Sequence, residues 1–180
     1  ESRENSFYAS ELRLQWAFVA AKFGDNWTAF WGLRKSLKLI DANIVRYPEY
    51  LLNQRTKGLL NIIIDLIPDN RQWMLELFGL KGDFQLGYQQ LQATIDLNSN
   101  WSMESKLILA LIDSYLLESG NELKMTREVP LYAYINGLIS AKEHKAIKAK
   151  AYFESLGTNI IVKPYLLGDT FFVLGEYEKA

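Results

Sequence analysis

Pro164 to Ala180 read PYLLGDTFFVLGEYEKA. Gly168, Phe171, Gly175, Tyr177 and Ala180 follow one another at intervals of three, four, two and three. That spacing predicts a helix, a tight turn at Gly175 and the start of a second helix packed against the first. Small residues let the two backbones approach, and a glycine after the first helix accepts the left-handed conformation that such a turn needs.

The pattern can be traced backward. The turn position of Gly175 is matched by His144, Gly82 and Gly24. The small residue five places on, Ala180, is matched by Ala149, Gly87 and Ala29, and four places later stand Phe153, Leu91 and Leu33. Seven places before the turn come Gly168, Gly137, Leu75 and Ala17. A small residue on each helix brings the axes together, and a large apolar residue one turn later fills the neighbouring groove. His144 is the weakest match. The first two turn spacings are about twice the last, so additional helices are expected over 49–67 and 101–118.

Elsewhere the chain also reads as helix. Tyr8, Leu12, Trp16 and Val19 form an apolar stripe ending before Gly24. Asp25 or Asn26 can cap the next helix, in which Phe30, Leu33, Leu37 and Ile40 recur up to about Arg46. Pro48 and Pro68 bound a third helix. A fourth is expected over 70–80 and a fifth through Leu86, Leu91 and Ile95. A sixth, capped by Ser99 or Asn100, is apolar on nearly every side from Leu107 to Leu117 and is expected to be the most buried. Ser119 to Glu128 reads as a polar loop, and helices over 129–142, 145–156 and 164–174 follow. The fold class is therefore all-α: a right-handed array of antiparallel helix pairs with extra helices. Residues 1–180 read as a single helical-repeat segment that stops within a C-terminal repeat.

Trp73-Met74-Leu75-Glu76-Leu77-Phe78-Gly79-Leu80-Lys81-Gly82-Asp83, followed by Leu86-Gly87 and Leu91, resembles the central motif of a divergent tetratricopeptide family. That family includes eukaryotic inclusion-body clearance proteins and bacterial homologues. Pro130-Leu131-Tyr132 through Gly137, with Ala149 and Phe153, resembles its later repeat, as does Tyr165-Leu166-Leu167-Gly168-Asp169. The resemblance implies a tetratricopeptide-like solenoid that binds or assembles proteins. Its motifs are packing motifs, so it carries over no catalytic residue and no cofactor. It also implies that first helices line a concave groove, to which Leu131, Tyr134, Leu138 and Ala141, then Val162, Tyr165, Asp169 and Phe172 would contribute. Such a row suits an amphipathic helix or an extended peptide. The same side chains could instead pack on the next helix.

Composition narrows the function classes. Apolar residues make up 49% of the 180, enough for a large core. Twenty basic and twenty-one acidic residues leave a net charge of −1, so no global field favours nucleic acid. Cysteine is absent, which removes thiol catalysis, thiolate metal sites and disulfides. The longest apolar runs, such as Leu107 to Ile112, fall far short of the roughly twenty residues that a membrane span needs. The chain opens on Glu1, as a processed product or a cut segment would. Bacterial cytoplasm and periplasm both fit, the periplasm if a signal peptide has been removed.

Candidate chemistry is sparse. His144 is the only histidine, and no serine or carboxylate is placed beside it by local spacing. Lys142, Lys145 and Lys148, with Lys150, could meet phosphate, but a solvated helix surface accounts for them. Asp113 interrupts an apolar run, as a ligand contact or as a group bonded to a neighbouring helix. Trp16, Trp27, Trp31, Trp73 and Trp101 could form a carbohydrate platform, but the helical spacing favours core packing. Asn26-Trp27-Thr28 and Asn100-Trp101-Ser102 match glycosylation acceptors and sit where helices need caps.

The expected function is a non-enzymatic scaffold or adaptor whose partner is a protein or peptide. The alternative is a helical domain that binds a small ligand or supports an enzyme elsewhere in a longer chain. An uncovered helix ending near Leu174 would offer a surface for self-association.

Overall fold

The computed structural model describes residues 2–68, 70, 75, 77–97, 100–117 and 130–179. Most of the helix expected over 70–80, with Trp73, lies outside them, as do the cap Ser99 and the loop 119–128. The described residues are helical and contain no strand. They divide into two compact units, 1–105 and 106–180.

In the first unit, helix α1 (Arg3–Lys22) starts at Ser2, whose hydroxyl accepts from the Asn5 amide at 3.2 Å. Helix α2 (Asn26–Arg46) starts at Asp25 rather than Asn26, and its carboxylate accepts from Thr28 N–H at 3.0 Å. Phe30, Leu33, Leu37 and Ile40 of α2 are buried as expected.

Helix α1 carries two apolar stripes, and the one that marked it as a helix is not the buried one. Phe7, Ser10, Leu14 and Ala17 go inward, whereas Tyr8, Leu12, Trp16 and Val19 are exposed. Close approach explains the choice. A Cβ on Gly32 of α2 would stand 2.8 Å from Ala17 Cβ, so the helices meet over their smallest residues. At this distance Ser10 and Ser36 bond each other's carbonyls, at 2.9 and 3.0 Å. The bulky stripe could not approach α2 so closely.

Helix α3 (Leu52–Asp65) packs on helix α4 (Phe84–Gln92), which Asp83 caps through Leu86 N–H at 2.9 Å. Gly58 and Gly87 face each other, and a Cβ on either would meet the other's carbonyl oxygen at 2.6 or 2.5 Å. Phe7, Leu14, Ile40, Leu60 and Ile64 anchor the core of this unit. Helix α5 (Asn100–Tyr115) buries Leu107, Leu109, Ala110 and Ile112, but Tyr115, Leu116 and Leu117 beyond them are exposed. The burial expected through Leu117 therefore stops after Ser114.

The second unit contains α6 (Pro130–Lys142), α7 (Ala146–Glu154) and α8 (Lys163–Val173), then a 3₁₀ turn at Tyr177–Lys179. Ala133, Ala149, Phe153 and Leu156 form its core. Phe153 fills the notch left by Gly137, where a Cβ would lie 2.2 Å from the ring.

Among the described residues one closing device recurs four times. Asp25, Leu80, Lys145 and Glu176 each donate an amide to the carbonyl five residues back, at 2.8 to 2.9 Å. The residues just before them, Gly24, Gly79, His144 and Gly175, have φ of 80, 69, 58 and 75°. This is the Schellman ending, in which a left-handed residue turns the chain back onto its own helix. His144 adopts it despite its side chain. The expected turn position Gly82 does not, because Gly79 takes that role. Gly82 instead lets the chain pass α3, where a Cβ would stand 2.2 Å from Asp65 N.

Candidate protein-binding face

The six residues predicted to bind a partner lie on α6 and α8 of the second unit. Leu131, in the first turn of α6, is 45% exposed. Tyr134 and Leu138 are half-buried and pack on the Ala133, Ala149, Phe153 and Leu156 core. On α8, Tyr165 is 75% and Phe172 64% exposed, and Asp169 is exposed between them. Ala141 and Val162, the other two groove positions, are exposed as well.

A cleft of about 180 Å³ brings part of this row together. Leu138 and Ala141 of α6 and Asp169 of α8 share its wall, with Ala149 and Phe153 at its base and His144 at the turn. Leu131, Tyr165 and Phe172 are not among its lining residues, so the row is a cleft with separate aromatic shoulders. Val173 also lines the cleft and is 69% exposed, and no groove position pointed to it. It lies one residue beyond Phe172, where a partly open cleft edge leaves it uncovered.

The charges around this face are tied down. Lys150 Nζ lies 3.3 Å from Glu176 Oε1 and 4.9 Å from the Phe171 ring centroid. Lys179 meets the other Glu176 oxygen at 2.9 Å. Hydrogen bonding from Lys179, then from Lys150, holds the Glu176 carboxyl below its ordinary pKa. Lys142 donates to the Ser114 carbonyl and sits 4.7 Å from the Tyr115 ring centroid. Lys145 pairs with Glu143 at 2.8 Å. Lys142, Lys145 and Lys150 therefore have local partners and do not form an open phosphate-binding row.

The remaining candidates are distributed. His144 is exposed at its turn, and Asp113 is half-buried on α5. Among the described residues, no group of three or more His, Asp or Glu side chains could hold a metal ion. Among them too, no helix is long and apolar enough to cross a membrane.

The tryptophans divide. Trp101 meets Phe7 edge-on at 5.2 Å and carries the Arg55 guanidinium at 4.8 Å, as a packing residue would. Trp31 is T-shaped to Trp27 and to Phe78, and Arg34 stands 5.3 Å from its ring. Trp16 and Trp27, however, are 60% and 59% exposed, so the expectation of core packing fails for both. Helical spacing marks a stripe but not which of two stripes goes inward.

No spacing in the sequence points to Arg55. It is buried with Glu11, whose Oε2 lies 2.8 Å from Nη1 without hydrogen-bond alignment. Its Nη2 meets Glu104 at 2.6 Å, and Thr56 donates its hydroxyl to Glu11. Glu11 and Arg55 are far apart in sequence, so no local pattern joins them.

Comparison with protein-family models, curated proteins and solved structures gives no match.

Proposed function

We propose that the protein is a non-enzymatic scaffold or adaptor of the tetratricopeptide-like solenoid type. Its partner would be an amphipathic helical segment with a basic residue, docked on α6 and α8. The carrying observation is the exposure of Tyr165 and Phe172 on α8, the helix whose Asp169 lines a cleft together with Leu138 of α6. Exposed aromatics next to a small apolar cleft are the usual anchors for a helix in a groove. Asp169 supplies the charge that a Lys or Arg of the partner would meet. The four identical turn endings and the buried small residues Ala29, Gly87 and Ala149 support the repeat reading.

Selection from a displayed library of helical peptides tests this. Recovered sequences should combine apolar residues at i, i+3 and i+4 with a Lys or Arg. Tyr165→Ala or Phe172→Ala should weaken binding at least ~10-fold, the effect of losing an interface anchor. Asp169→Asn should weaken it less, and mainly at low salt. Tight binding of a small molecule, with no peptide recovered, would replace this reading with the ligand-binding alternative.

A further inference from the structure

Helix α1 is apolar on two sides. Phe7, Leu14 and Ala17 are buried, but Tyr8, Leu12, Trp16, Val19 and Phe23 are 49, 67, 60, 44 and 79% exposed. With 3.6 residues per turn, these five fall within an arc of about 80°, roughly opposite the buried face. A helix apolar on both sides ordinarily lies between two covers, and a continuous exposed apolar patch marks an interaction site. We propose that this stripe is a homodimer interface, in which α1 packs antiparallel on α1 of a second copy about a twofold axis at Trp16.

The stripe is self-complementary, as such an interface requires. Leu12 stands four residues before Trp16 and Val19 three after it. Tyr8 stands eight before and Phe23 seven after. Antiparallel pairing centred on Trp16 therefore sets Trp16 on its own copy, Leu12 on Val19 and Tyr8 on Phe23. From Leu12 to Phe23 the spacing is four, three, four, the seam of two packed helices. No charged residue falls within the stripe to be buried at the contact. The exposed portions of the five side chains amount to ~600 Å² per copy, so the pair would bury ~1,200 Å², the lower range of stable interfaces. The contact uses neither α6 nor α8.

Light scattering coupled to gel filtration on the 180-residue chain tests the proposal. At a loading on the order of 100 μM, ample for micromolar association, the mass should be twice that of one chain. Trp16→Glu should return it to one chain with an unchanged circular dichroism spectrum. Phe172→Glu, on α8, should leave it doubled.

Because the chain has no cysteine, introduced thiols report the register whatever Trp16→Glu does to folding. Trp16→Cys should cross-link to its own copy on mild oxidation. Leu12→Cys and Val19→Cys should cross-link in the double variant and in neither single one. A single-chain mass for the unaltered protein would overturn the proposal and leave the stripe to another partner. So would a doubled mass that Phe172→Glu abolishes, or cross-linking of Leu12→Cys alone.

Discussion

The α1–α2 and α6–α7 hairpins use one steric device with opposite chemistry. In each, a small residue on the first helix meets the second at short range: Ala17 with Gly32, and Gly137 with Phe153. About two turns before Ala17 the α1–α2 contact turns polar, with Ser10 and Ser36 bonded to each other, and Glu11 of the same helix faces Arg55 of α3. Around Gly137 it is a ring in a notch. Close packing leaves the choice open, because what matters sterically is the missing Cβ. The polar version demands that every buried group find a partner, whereas the apolar version demands only shape.

The sharpest way to break this comparison is at Arg55. Arg55→Ala leaves Glu11 buried with Thr56 alone, and removing one member of a buried pair costs about 3–5 kcal/mol. Urea unfolding should show that loss. Arg55→Met should cost somewhat less, because the apolar replacement fills volume, but it too leaves Glu11 uncompensated. Combining it with Glu11→Gln should recover most of the difference. Equal effects of Arg55→Ala and Arg55→Met would mean that the loss comes from the uncompensated Glu11 charge and that the filled volume contributes nothing.

In the second hairpin the corresponding change is one of shape. Gly137→Ala places a methyl carbon 2.2 Å from the Phe153 ring and should cost about 1–3 kcal/mol by overpacking. Phe153→Leu alone should also destabilise, by opening a void. The two together should be less destabilising than their sum, a coupling measured in a double-mutant cycle. Strict additivity would show that the ring does not occupy the notch.

The turns that close these hairpins differ by one residue. Gly24 accepts φ of 80° freely, whereas His144 holds φ of 58° with a side chain. A left-handed conformation costs a non-glycine residue roughly 1–2 kcal/mol. Part of that is offset by the larger unfolded-state entropy of glycine. His144→Gly should therefore raise the midpoint of thermal unfolding by a few degrees, and Gly24→Ala should lower it. The exposure of His144 makes loss of buried contacts a minor factor.

The helices and two of the small-residue contacts were legible in the sequence because both rest on local spacing. Ala149 and Phe153 are buried where the spacing puts them. Gly82 fits the spacing to Leu75, Gly87 and Leu91, yet Gly79, three residues earlier and outside that spacing, takes the left-handed conformation. The choice between them is set by how close the chain passes to Asp65. The Tyr8, Leu12, Trp16 and Val19 stripe marks α1 as a helix but not its buried face, because two apolar stripes compete and the closer approach wins. Arg55 was invisible, since its partners Glu11, Thr56 and Glu104 are assembled only by folding. At the candidate face, the row of positions marked both the aromatic shoulders and the cleft. It could not distinguish Leu138, which lines the cleft, from Tyr165, which stands outside it.

The smallest expected effect separates the two turns by their response to acid. The residue after the left-handed position is Asp25 in one and Glu176 in the other, and both carboxyls titrate below their ordinary values. Asp25 is held there by hydrogen bonding from Thr28, and Glu176 by Lys179 and then Lys150. A carboxyl with a depressed folded-state pKa contributes stability that is fully present above its unfolded value, about 4. That contribution is lost as pH falls through the folded value. The thermal midpoint should therefore be level from pH 7 to 5 and decline below about 4. Asparagine remains a good helix cap, so Asp25→Asn should keep most of the midpoint at pH 7 and lessen the acid decline. Glu176→Gln should lower the midpoint slightly at low salt and not at all in 0.5 M salt, where the Debye length is only ~4 Å. The Asp25 contribution should survive the same salt, because its acceptor bonds a backbone amide at 3.0 Å and no mobile cation. If salt removed both contributions equally, the cap would be acting as a bare charge, and the two turns would not differ in chemistry after all.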